Sequence, residues 1–135
     1  MSLGKRIRKV RTFRELTQRE LGELMGWDKN GDVRIAQYEK GTRTPKKPIQ
    51  IGLADALDIS PSALTACVGT TIIDFMESLL WLEEFEGEDA IQACIQEWQE
   101  QKSRLSAGEI TKDEYFEWKL RWTEPRKVDV FQKER

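Results

Sequence analysis

Short apolar stripes at helical spacing, each opened by a capping residue and closed by glycine or proline, restrict the folds open to this chain more than any other feature. Thr17 with Glu20 three residues later has the form of a capping box, in which each side chain satisfies an amide left open at a helix start. Leu21, Leu24 and Met25 continue as the apolar stripe of that helix, and Gly26 closes it. Before it, Leu3, Ile7 and Val10 recur at helical spacing among Lys5, Arg6, Arg8, Lys9 and Arg11. After a polar turn, Trp27 to Gly31, a third helix is expected from Asp32 to Lys40, with Ile35 and Tyr38 inward and Gly41 in the left-handed position that ends it. A loop holding Pro45 runs from Thr42 to Lys47. Ile49, Leu53, Ala56 and Leu57 mark a fourth helix. Ser60-Pro61 starts a fifth, with serine as N-cap and Leu64 as anchor.

The composition shifts across Cys67 to Thr71, read here as a linker. Ile72, Met76, Leu79, Leu80 and Phe85 define a helix over 72–86 that Gly87 breaks. Ile91, Cys94 or Ile95, Trp98 and Leu105 mark a longer one that ends near Gly108. Thr111 with Glu114 repeats the capping-box form before Tyr115, Trp118 and Trp122, and Pro125 is expected to stop that helix. Only β-branched pairs such as Ile72-Ile73 speak for strand, and the helical periodicity outweighs them. The expected fold class is all-α. A five-helix domain fills residues 1–66, a small helical module fills 72–122, and 123–135 form a flexible tail.

Several function classes are closed off by what the 135 residues lack. There is no histidine, which removes the commonest general base and zinc ligand. The two cysteines, Cys67 and Cys94, stand far apart and in no C-x-x-C, so they read as reduced thiols, with neither metal nor cofactor expected. Carboxylates such as Glu83, Glu84 and Glu86 read as a solvated acidic face. With no nucleophile–base pair and no phosphate loop, an enzyme is not expected. No run of 18 apolar residues is present and the N-terminus lacks an apolar signal segment, so the expected location is cytoplasmic, away from membranes.

The net charge of −2 conceals a division. Residues 1–66 hold 13 Lys/Arg against 8 Asp/Glu, whereas residues 67–135 hold 9 against 16. A basic first half joined to an acidic second half suits a nucleic-acid reader coupled to a module kept away from phosphate. The reader has a visible layout: two helices joined by a turn, the second exposing polar side chains.

Thr17-Gln18-x-Glu20-Leu21, then Gly26, then Ile35-Ala36-x-x-Glu39-x-Gly41-x-Arg43-x-Pro45, then Leu53-Ala54-x-Ala56-Leu57-x-Ile59-Ser60 closely resemble the lambda-repressor-like (Cro/CI, or XRE) DNA-binding domain, over roughly residues 4–65. The resemblance implies a sequence-specific regulator of double-stranded DNA operators in a bacterium, phage or mobile element, most simply a repressor. It also implies roles for individual residues. Gln18, at the start of the second helix, is expected to bond a DNA phosphate with help from the helix-end amides. Asp32, Val33, Arg34 and Gln37 are expected to face base edges, with Gln37 suited to adenine, Arg34 to guanine and Asp32 to cytosine unless it serves as an N-cap. A phosphate clamp is the alternative role for Arg34. Lys40, Arg43, Thr44, Lys46 and Lys47 are expected on the DNA backbone. Arg11 and Glu39 match a family pair that ties the first helix to the recognition helix. Gly22 stands where the family usually has alanine, at the meeting of the second and third helices.

One departure from the pattern is plain. Gly26 and Ile35 are nine positions apart, against a common family spacing of six, so the turn is about three residues longer, most simply at Lys29-Asn30-Gly31. Asp32 and Val33 are the positions this affects most.

The second half carries four of the five tryptophans, Trp81, Trp98, Trp118 and Trp122. They are expected to fill a small core. A unit of this size buries little surface alone, which also points to an aromatic interface. Residues 105–120 resemble the "short C-terminal" (SHOCT) motif, proposed to support oligomerisation. A homodimer is expected, because one such domain reads only a few base pairs. An alternative function is a protein-interaction, antitoxin-like module whose residues 72–122 capture a partner protein.

Overall fold

The structure is a computed structural model and describes residues 2–65 and 71–122. Among the described residues there are eight α-helices and no strand. The expected tail over 123–135, the expected stop at Pro125 and Cys67 lie outside them. The chain divides into two compact units between residues 66 and 67.

The first unit holds α1 (Leu3–Phe13), α2 (Gln18–Leu24), α3 (Gly31–Lys40), α4 (Lys47–Ala56) and α5 (Pro61–Thr65). Its core draws on every helix. Ile7, Leu21, Ile35, Leu53 and Leu64 come from α1 to α5 in turn, and Leu57 at the end of α4 joins them, all fully buried. Each such side chain contributes about 1.5–3 kcal/mol by leaving water. One member of the expected stripe departs from it: Leu24, in the last turn of α2, is exposed.

Helix α1 lies close against α3 because residue 4 is glycine. A Cβ there would stand 2.5 Å from the carbonyl oxygens of both Tyr38 and Glu39. Arg6 on α1 and Arg14 just after it tie this helix to the ends of α4 and α5. Arg14 donates through Nε to the carbonyl of Leu57 at 2.8 Å and through Nη2 to that of Asp58 at 3.0 Å. Arg6 donates to the carbonyl of Leu64. These bonds occupy carbonyls that the ends of short helices leave without internal partners.

The second unit holds α6 (Ile72–Glu86), α7 (Glu88–Ser106) and α8 (Lys112–Arg121), with α6 packed on α7 and α7 on α8. Thr71 and Asp74 form a capping box at the start of α6, and Thr111 and Glu114 form the expected one at the start of α8. The core of this unit is slight: Ile110 and Leu120 are its buried apolar residues among those described. The expected tryptophan core is only partly realised. Trp118 and Trp122 are half-buried, whereas Trp81 is 64% exposed and Trp98 stands nearly half in solvent. Trp98 donates through Nε1 to the Tyr115 hydroxyl at 2.9 Å, and Lys102 lies over its ring.

Helix α6 buries none of its residues. Eight of its apolar side chains are nearly half exposed or more, up to 76% for Ile72 and 77% for Phe85. Trp81 and Phe85 stack on each other 5.8 Å apart. These side chains lie on all sides of the helix rather than along one stripe, the pattern of a helix that other surfaces cover.

Candidate nucleic-acid interface

Helices α2 and α3 meet through two glycines. A Cβ on Gly22 would lie 2.8 Å from the backbone of Gly31, and one on Gly31 would lie 3.1 Å from the Cα of Gly22. The small residue at position 22 thus has a definite partner, which is the first residue of α3. The contact also shows where the longer turn goes. The chain leaves α2 with the Trp27 amide donating to the carbonyl of Gly22 at 2.9 Å, then passes through Asn30 in the left-handed region (φ 57°) and enters α3 at Gly31. The helix starts one residue earlier than expected, and Asn30 holds the cap position. Asp32 is therefore not the N-cap; it lies in the exposed first turn, where helix-end amides favour a carboxylate.

Gly31, Ile35 and Tyr38 are the buried face of α3. Val33, Gln37 and Lys40, at helical spacing on the other side, form the outward stripe: Val33 and Lys40 are exposed and Gln37 is half-buried. Arg34 belongs to neither set. It shares the row of Tyr38, with its guanidinium 3.8 Å from the centroid of the Trp27 ring and Nη2 3.5 Å from the Tyr38 hydroxyl.

Three side chains lock α3 to its neighbours. Arg11 on α1 meets the carboxylate of Glu39 on α3 in a two-point contact, Nε to Oε1 and Nη2 to Oε2, and donates Nη1 to the carbonyl of Leu16 at 2.8 Å. Gln18, the first residue of α2, donates its side-chain amide to Glu39 Oε2 at 2.9 Å. The Glu39 side chain is only 5% exposed, so these bonds also satisfy a carboxylate largely withdrawn from water. The Gln18 amide has a second hydrogen with which to donate beyond the domain.

The loop after α3 is built on the buried Pro45, whose carbonyl accepts a bond from the Gln50 side chain at 2.9 Å. The carbonyl of Gln37 accepts from both the amide and the hydroxyl of Thr42. Around this frame Arg43, Thr44, Lys46 and Lys47 are all exposed, as is Lys40 at the end of α3. The expected reading residues therefore lie on α3, and the expected backbone residues lie at its end, in the loop that follows and at the first residue of α4, Lys47, with Gln18 apart from them at the start of α2. Sequence reasoning missed Trp27, which it placed in a polar turn. The available signal was an isolated aromatic residue in an otherwise polar turn.

A short helix pinned at both ends, with an exposed stripe of side chains and a cationic loop at its exit, defines a helix-turn-helix DNA-binding domain. Residues 7–64 match the family model described as "Helix-turn-helix". This N-terminal domain belongs to the lambda-repressor-like, Cro/CI-type (XRE) family, whose members are DNA-binding transcriptional regulators rather than enzymes. No curated protein and no solved structure matches the chain. Among the described residues no helix is long and apolar enough to cross a membrane, and no group of three His, Cys, Asp or Glu side chains is placed to hold a metal ion.

Proposed function

We propose that the protein is a sequence-specific repressor that binds a twofold-symmetric operator as a homodimer, in a bacterium, phage or mobile element. The observation that carries this reading is the outward stripe of α3 beside the exposed cations of the following loop. Gln37 is the principal base reader, with Asp32 and Val33 at the entering end of the helix; Arg34 stands on the flank, between base edges and backbone. Gln18, Lys40, Arg43, Thr44, Lys46 and Lys47 hold the phosphate backbone, which sets register and makes binding salt-dependent. Selection of bound duplexes from a random pool tests the reading: it calls for one enriched motif with two related halves.

Dimerisation is assigned to α6, and its occupant is a second copy of the chain. The eight exposed apolar side chains of this helix have no cover among the described residues of the single chain. Its charged residues are all acidic, with Glu83, Glu84 and Glu86 gathered at the C-terminal end. An antiparallel pairing sets those carboxylates beside the partner's N-terminal turn, where the helix amides carry partial positive charge. The same exposed helix also favours the second reading, capture of a different protein by residues 72–122. Sedimentation of the purified chain separates the two: a dimer lost on changing α6 supports the first, and a monomer indifferent to those changes supports the second.

A further inference from the structure

We propose that Trp27 is a positioning residue for Arg34, and that the two form an arginine clamp on a DNA phosphate at the flank of the recognition helix. The inference rests on the DNA-binding reading above and assigns a part to the residues that lengthen the turn.

Among the described residues, the contacts of Arg34 are an aromatic face and, at the limit of hydrogen bonding, a hydroxyl, neither of them anionic. The face is itself held rigidly. The Trp27 amide is bonded to Gly22, its ring packs tilted against Tyr38 with centroids 6.3 Å apart, and its Cβ lies in the glycine contact that joins α2 to α3. A guanidinium stacked on a ring covers its faces and keeps its N–H donors in the plane, where they suit the paired oxygens of a phosphate. Stacking also settles the side-chain rotamers before DNA arrives, so less ordering remains to be done on binding.

Position decides in favour of phosphate over base. The outward stripe runs through Val33, Gln37 and Lys40, while Arg34 lies on the row of Tyr38, turned toward the turn. A helix seated in a major groove presents its outward stripe to the base edges and its flanks to the strands at either side. A cation fixed on the flank meets backbone oxygens.

The test uses the full chain and a mixed-sequence DNA duplex, with affinity measured across a salt series. Removing one phosphate contact lowers the slope of log K against log salt by about one. Arg34→Gln is expected to weaken binding several-fold and to lower the slope by that amount. Trp27→Leu is expected to do the same although no charge has changed, and the double variant should be no weaker than Arg34→Gln alone. Trp27→Phe, which keeps an aromatic face of weaker attraction for cations, should fall between. It serves in place of Trp27→Leu if circular dichroism shows the latter to be unfolded. A normal slope in the folded Trp27 variants beside a lowered slope in Arg34→Gln overturns the positioning role. A normal slope in Arg34→Gln, or a shift in the selected DNA motif with the slope intact, overturns the phosphate assignment. If the unaltered chain binds no duplex at low salt, the failure lies with the DNA-binding reading itself.

Discussion

Gln18 donates its side-chain amide to the carboxylate of Glu39 across 2.9 Å, linking the first residue of α2 to the last turn of the recognition helix. Glu39 is held from the other side by Arg11, so one buried carboxylate joins three helices. The residue expected to grip the DNA backbone is thereby oriented by the same group that fixes the reading helix.

Arg11→Ala strands that carboxylate away from water and is expected to destabilise the first unit by about 3 kcal/mol. Replacing both charges by apolar residues, Arg11→Met with Glu39→Leu, should recover much of the loss, because no unpaired charge is left behind. The double variant should nevertheless bind DNA more weakly than its stability suggests, since Gln18 has lost its orienting partner. Urea unfolding alongside DNA titration checks both halves of this expectation.

Gly22→Ala drives a methyl group into the backbone of Gly31, and Gly4→Ala drives one into the carbonyls of Tyr38 and Glu39. Backbone yields less readily than a side-chain tip, so each change is expected to cost about 1–3 kcal/mol. A thermal melt of either variant at wild-type temperature would show that the helices have more room than the structure gives them.

Gln37 and the loop lysines should differ in kind. Gln37→Ala is expected to reduce discrimination at one position of the site by about 1–3 kcal/mol while leaving the salt slope near wild type. Lys46→Ala with Lys47→Ala should weaken specific and nonspecific DNA alike and lower the slope by about two. Affinity for matched and mismatched duplexes, read at several salt concentrations, separates the two.

Leu80→Lys with Trp81→Lys leaves no cavity, because both side chains are exposed in the single chain. Helix content is expected to stay constant while the dimer dissociates. Salt should act unequally on the two associations of the unaltered chain. Pairing through α6 rests on apolar contact and changes little, while the contact with phosphate weakens steeply. Sedimentation equilibrium at low and high salt measures the first trend.

The first unit was legible in the sequence because its signals are local. The capping residues, the apolar spacing and the closing glycines each act within one turn of helix, and they place all five helices. The start of α3 was not legible. Asn30 in the left-handed region leads into the helix without a side-chain cap, so no capping residue announces it, and Asp32 imitated one. A phosphate clamp stood beside base reading as a role for Arg34, but its contact with Trp27 was not legible, because the fold alone brings the two together. In the second unit helical periodicity placed α6, but periodicity says nothing about which apolar residues find partners. Ile72, Trp81 and Phe85 look like core in the sequence and stand in solvent in the single chain.

Whether the outward side of α3 reads duplex DNA is decided by selection from a random duplex pool with the full chain and with Gln37→Ala. A single motif is expected, its two halves centred about 34–36 Å apart along the duplex, with preference relaxed at one symmetric pair of positions in the variant. Recovery of no enriched sequence at low salt, or the same motif from both proteins, would show that α3 is not the reading element.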